Sequence, residues 1–126
     1  MSKFQYYQPN YHATIEKKDD CIRAVAKALG MNWKTAYDIL CDAGRENMDS
    51  PTSLATVRRV MKNRGFEQVR NHFAARITTN TLADKHRDKI ILCYCGGYYV
   101  TVVNGVVYDL DERSAHLRVA VYFINQ

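Results

Sequence analysis

No glycine-rich phosphate loop and no dinucleotide fingerprint occur in this chain, so the P-loop and Rossmann routes to nucleotide chemistry are closed to it. Zinc-type cysteine pairs are missing as well. Cys93 and Cys95 are one residue apart, Cys21 and Cys41 stand alone, and structural zinc sites use two to four intervening residues. Neither a metal nor a cofactor is therefore expected. The segment Met1 to Tyr7 has no apolar h-region, which predicts no secretory signal and a cytoplasmic protein. Four cysteines in that reducing compartment give no reason to expect disulfides. Ile90 to Tyr108 is apolar over a length that suits a membrane span, but Gly96-Gly97 and Asn104-Gly105 cut it into pieces of period two, which fit strands and no membrane. Internal repeats and low-complexity tracts are absent too.

What remains is an ordinary globular composition, 47% hydrophobic and 25% charged, over 126 residues, enough for a single domain spanning 1–126. The net charge of +5 is concentrated in the middle: residues 51–90 carry nine basic and three acidic groups, against seven and seven before them and two and three after. Arg58, Arg59, Lys62 and Arg64 form the polar side of a helical pattern there, with Arg70, Phe66 and Phe73 nearby. Such a face is either solvated or turned to an acidic partner or nucleic acid.

Residues 1–14 hold Phe4, Tyr6, Tyr7 and Tyr11 with no helical period, which suggests an extended arm pinned by its aromatics. Asp19 and Asp20 stand at the N-cap of a helix whose apolar side runs through Cys21, Val25, Ala28 and Leu29 and stops at Gly30. Asn32 caps a second helix, with Trp33, Ala36, Tyr37 and Leu40 on one stripe and an end near Gly44. Ser50-Pro51 opens a third, built on Leu54, Val57 and Met61 and closed by Gly65. Phe66 to Val69 suits a short strand, and Thr79 or Asn80 caps a short surface helix. From Lys89 the period becomes two. Strands are expected over 90–95, 98–103, 106–109 and 117–124, with Asn104-Gly105 as a type I′ hairpin turn. Helices first and strands last predict an α+β domain.

The hairpin makes Tyr98 and Asp109 diagonal neighbours on one face of the sheet, within reach of each other's side chains. Asp109 is an isolated carboxylate in an apolar strand, so it either ends in water, the default for a carboxylate, or meets a donor. At the head of its helix, Cys21 feels the positive end of the backbone dipoles, which favours thiolate, and the charges of Asp19 and Asp20, which oppose it. The sequence leaves that balance open, together with the plainer reading of Cys21 as a buried core residue.

Asp20-Cys21-Ile22-Arg23-Ala24, then Trp33 and Tyr37, then Gly97-Tyr98 and Val102 to Asp109 resemble the small papain-like cysteine-peptidase-type proteins of bacteriophages and prophages across most of 19–109. The resemblance implies a papain-like fold, N-terminal helices with a central helix starting at Cys21 packed on a C-terminal antiparallel sheet. It matches Cys21 to the nucleophile, position 98 to the general base and Asp109 to the residue that orients the base. Position 98 is tyrosine here where the family has histidine. A phenol of ordinary pKa near 10 does not serve as a base at neutral pH, so the resemblance implies an inactive or weakened peptidase that binds a host or phage macromolecule, most simply a protein. Two alternatives stand beside it: an active cysteine hydrolase using Cys21 with a displaced base, for which His116 is the candidate, and a basic nucleic-acid-binding module led by Arg58, Arg59, Lys62 and Arg64.

Overall fold

The computed structural model describes residues 3–10, 12, 18–71 and 76–126. Among them the elements run β1 (Lys3–Tyr6), α1 (Asp20–Leu29), α2 (Trp33–Asn47), α3 (Leu54–Asn63), β2 (Phe66–Arg70), α4 (Thr79–Lys85), β3 (Ile90–Tyr94), β4 (Tyr99–Val103), β5 (Val106–Asp109), a 3-10 turn (Glu112–His116) and β6 (Val121–Asn125). The chain is α+β, with a six-stranded sheet in the order β1-β5-β4-β3-β6-β2. No helix among the described residues is long and apolar enough to cross a membrane.

The sheet departs from the expected C-terminal, wholly antiparallel one. It is mixed, because part of the aromatic arm becomes β1 and runs parallel to β5, from Lys3 opposite Val106 to Tyr6 opposite Asp109. Without β1, β5 would leave a row of backbone donors and acceptors unpaired at an edge. Tyr7 prolongs the pairing by donating its N–H to the Asp109 carbonyl at 3.0 Å, and the Lys27 ammonium lies 4.0 Å from the Tyr108 ring centre and 5.4 Å from that of Tyr7. The opposite edge is β2, antiparallel to β6.

Alternation along the strands builds a core on each face of the sheet. Leu92, Tyr99, Val121 and Phe123 pack with α1, α2 and α3; Ile91, Cys93, Val100, Val102, Val107 and Tyr122 pack with Leu82 and Ala83 of α4, Ala115 of the 3-10 turn and Val119. Helix α1 is buried almost all the way round, from Cys21 through Ala26 and again at Ala28, as a helix between a sheet and a second helix must be. Its alanines allow close approach to β4, where the Thr101 hydroxyl donates to the Ala24 carbonyl at 2.6 Å. Removing Val25 fully from water contributes about 1.5–3 kcal/mol. Gly30 ends the helix at φ 66°, with Gly30 N–H bonded to Lys27 O and Met31 N–H to Ala26 O, the paired bonds of a Schellman stop.

Other boundaries moved for local reasons. Asn32 caps α2 as expected, its side chain accepting from Thr35 N–H at 2.8 Å, but the helix continues through Gly44 to Asn47. Gly44 serves close approach there: a Cβ would fall 2.8 Å from the Asp49 carbonyl. Ser53, rather than Ser50-Pro51, caps α3 by accepting from Thr56 N–H at 3.1 Å, while the Ser50 carbonyl receives the Thr56 hydroxyl at 2.7 Å. Thr78 caps α4, which buries Thr79, Leu82 and Ala83 instead of lying at the surface. Asn104 and Gly105 both take positive φ, 51° and 81°, as the type I′ turn requires. The last strand begins at Val121 instead of Leu117, because Val119 N–H is drawn to Ile77 O at 2.8 Å.

Candidate functional site

The N-terminus of α1, the start of β4 and the end of β5 meet around one guanidinium. Arg23 is the lone charge within the buried run of α1 and only 5% of its surface is exposed. Its Nη2 donates to the Tyr98 hydroxyl and to Asp109 Oδ1, both at 3.1 Å, and its Nη1 donates to Asp19 Oδ1. Tyr98 in turn donates its hydroxyl proton to Asp109 Oδ2 at 2.8 Å. The second oxygen of Asp19 accepts from Trp33 Nε1 at 2.9 Å and from Asn10 Nδ2 at 3.0 Å. Asp109 is buried and partnered, which corrects the default expectation of a solvated carboxylate. Asp19 is likewise no simple N-cap: its side chain makes no capping bond and binds Arg23, Trp33 and Asn10 instead.

The electrostatics favour a charged Asp19, a charged Arg23 and a neutral Tyr98 near neutral pH. Burial would raise the Asp19 pKa, but the hydrogen bonds from Asn10 and Trp33 and the Arg23 charge outweigh it and hold the carboxyl below its usual value. Burial would lower the Arg23 pKa, and Tyr98, Asp109 and Asp19 more than offset it. Burial, then the hydrogen bond to Asp109 and its charge, push Tyr98 well above an ordinary phenol. With its proton donated in the bond to Asp109 and its oxygen facing a guanidinium, Tyr98 stands as a neutral phenol, which is no base for a thiol proton.

Cys21 does not join this group. Residues 21 and 23 are about 200° apart around a helix, so the two side chains leave α1 in nearly opposite directions. Cys21, 3% exposed, packs in the core that contains Tyr99, whereas Tyr98 packs against the core on the other face of β4. The sign that the sequence left open is decided: burial first, then the charge of Asp20, push the thiol far above its ordinary pKa. Asp20 itself is turned to the sheet, Oδ2 accepting from Tyr99 N–H at 2.9 Å. No described hydrogen bond reaches the Cys21 sulfur.

His116 is exposed in the 3-10 turn and makes no described hydrogen bond to the network. His72 and Phe73 lie outside the described residues. Cys93 is fully buried, and Cys95 lies 3.8 Å from the Thr79 hydroxyl. Among the described residues no group of three or more His, Cys, Asp or Glu is placed to hold a metal. Of the basic set on α3, Arg58 is tied by Nε to Gln68 Oε1 at 2.7 Å, while Arg59, Lys62 and Arg64 are exposed. Arg23 as the centre of the network escaped the sequence reading. Its signal was a single arginine in an apolar helix, four residues after an aspartate, the spacing of a helical ion pair.

Beside the network lies a groove of about 750 Å³, with Pro9, Ile22 and Trp33 as its apolar surface and His12, Lys18 and Lys34 among its other walls. Trp33 is held in place from two directions, its indole N–H by Asp19 and its ring by stacking on Tyr37, with centroids 5.3 Å apart and planes at 9°. Compared with family models, curated proteins and solved structures, the chain finds no match.

Proposed function

We propose that this chain is a papain-like protein of the phage type whose peptidase site has become a structural network, and that it acts in the cytoplasm by binding another protein. The reading is carried by Tyr98: at the position of the general base stands a phenol whose hydroxyl is committed to Asp109 and Arg23. Burial of Cys21, with no described hydrogen bond to an imidazole, supports the same reading, since thiolate chemistry needs a depressed thiol pKa and a base within reach. Central placement of α1 and the β4–β5 hairpin against it support the papain-like architecture. The groove beside Asp19 offers the partner a rigid tryptophan face and a basic rim, which suits an acidic segment carrying an apolar anchor.

Thiol labelling joined to a binding assay tests this. Iodoacetamide on the native protein at neutral pH should leave Cys21 unmodified, and a partner captured from host extract should be retained by Cys21→Ala but lost with Trp33→Ala and Lys34→Glu. Rapid alkylation of Cys21 in the native state, or amide hydrolysis abolished by Cys21→Ala, would reinstate the active hydrolase.

A further inference from the structure

A second cavity, of about 470 Å³, lies at the end of β2 and is lined by Arg70, Arg76 and Arg118 together with Ile77, Cys95 and Val119. We infer that this three-arginine pocket is a binding site for a nucleotide, its phosphate held by the guanidinium groups and its base and sugar laid against the apolar wall. The inference goes beyond the proposed function and does not rest on it.

Charge is the first ground. Among the described residues no aspartate or glutamate lines the cavity, and none of its three arginines has an ion-pair partner there. Elsewhere Arg23, Arg45, Arg87 and Arg113 each meet a carboxylate and Arg58 bonds Gln68, while Arg59 and Arg64, also without an ion pair among the described residues, do not line this cavity. Three unneutralised guanidiniums around one concavity repel one another and favour an anion with several acceptor oxygens, and the planar fork of arginine matches phosphate geometry.

Construction is the second ground. The arginines project from backbone that is held in place: Asn71 N–H donates to Ala120 O at 2.9 Å, Asn71 Nδ2 to Val119 O at 2.7 Å, and Val119 N–H to Ile77 O at 2.8 Å, while Thr78 and Arg118 form a bridge. Less ordering is then needed when a ligand arrives. The volume and the side chains of Ile77 and Val119 decide the ligand class. A bare phosphate would leave the apolar wall unused, whereas a nucleotide fills a small-molecule cavity and covers that wall with its base.

Adenosine monophosphate and a fluorescent 5′-phosphorylated single-stranded tetranucleotide, titrated at low salt against the full chain, test the site. Arg76→Ala and Arg118→Ala should each weaken binding about tenfold or more without changing thermal unfolding, and Arg59→Ala on α3 should leave it unchanged. Binding should also fall steeply with added salt. A tetranucleotide that binds more tightly than the monophosphate assigns the site to strand ends, and equal or weaker binding assigns it to free nucleotides; both support the site. Absence of nucleotide binding at low salt, affinity untouched by both arginine variants, or preference for a phosphotyrosine peptide over either nucleotide would overturn it.

Discussion

Arginine plays opposite parts at two places in this molecule. Arg23 is closed in by Asp19, Asp109 and the Tyr98 hydroxyl, while Arg70, Arg76 and Arg118 surround a cavity that no carboxylate among the described residues lines. In the first place the charge is already answered within the chain and serves to join a helix to a hairpin. In the second it is left for something outside. The difference shows that the acid partners of a basic residue, more than its own identity, separate a structural cation from a binding one.

The sharpest test of that contrast is to remove one cation from each place. Arg23→Ala leaves Asp19 and Asp109 buried without their counter-charge and should destabilise the fold by about 3–5 kcal/mol in urea titrations. Arg118→Ala should change stability by no more than about 0.5 kcal/mol. Comparable losses from the two variants would erase the distinction.

Tyr98→Phe comes next, at about 1–2 kcal/mol, since it removes the hydroxyl's bonds with Asp109 and Arg23 but leaves the Arg23–Asp109 ion pair. The phenol also has a pH signature. Its folded pKa is raised, so the folded state keeps a proton that the unfolded state releases, and stability falls as pH rises above about 10. Tyr98→Phe should flatten that alkaline decline in unfolding titrations; an unchanged slope would place it on the other groups raised by burial, Tyr99, Tyr122, Tyr7 and the buried thiols.

Acid acts on the same network with the opposite sign. The Asp19 pKa is held below its unfolded value, so its contribution is complete above about pH 4 and is lost as pH falls through the depressed folded value. Asp20, pushed up by burial, has the opposite sign and acts above about pH 4, where its folded carboxyl keeps a proton that the unfolded one has released. Trp33→Phe removes one donor to Asp19 and should move the acid unfolding midpoint upward by a few tenths of a pH unit. An unmoved midpoint would separate Trp33 from the network.

The smallest effect is on the thiols. At neutral pH half-buried Cys41 should react first with a maleimide, Cys95 slowly because burial pushes its thiol up to about 11, and Cys21 and Cys93 only on unfolding. Mass spectrometry of partially labelled protein reads this order directly.

The elements were legible where the signal is local. Gly30 as a left-handed stop, Asn32 as a cap, the Asn104-Gly105 turn and the alternation through Ile90 to Tyr94 each depend on a few neighbouring residues, and the structure keeps all of them. The diagonal approach of Tyr98 to Asp109 was legible for the same reason, because a two-residue turn sets the register of both strands. Gly44 misled because glycine looks the same at a helix stop and at a point of close backbone approach.

By itself, then, the chain's sequence determined its helices, its strands, the hairpin register and the uneven spread of charge, all consequences of backbone preference and apolar period over short stretches. Only the tertiary structure decided that the arm pairs parallel to β5, that Cys21 is a core residue, that Arg23 ties Asp19 to Asp109, and that Arg70, Arg76 and Arg118 share one cavity. Those outcomes depend on contacts between residues far apart in the chain, 86 positions for Arg23 with Asp109 and more for β1 with β5, and on how water is excluded around them. Neither the sign of a pKa shift nor the meeting of distant charges is written in local pattern, because both depend on what the rest of the chain packs against the group.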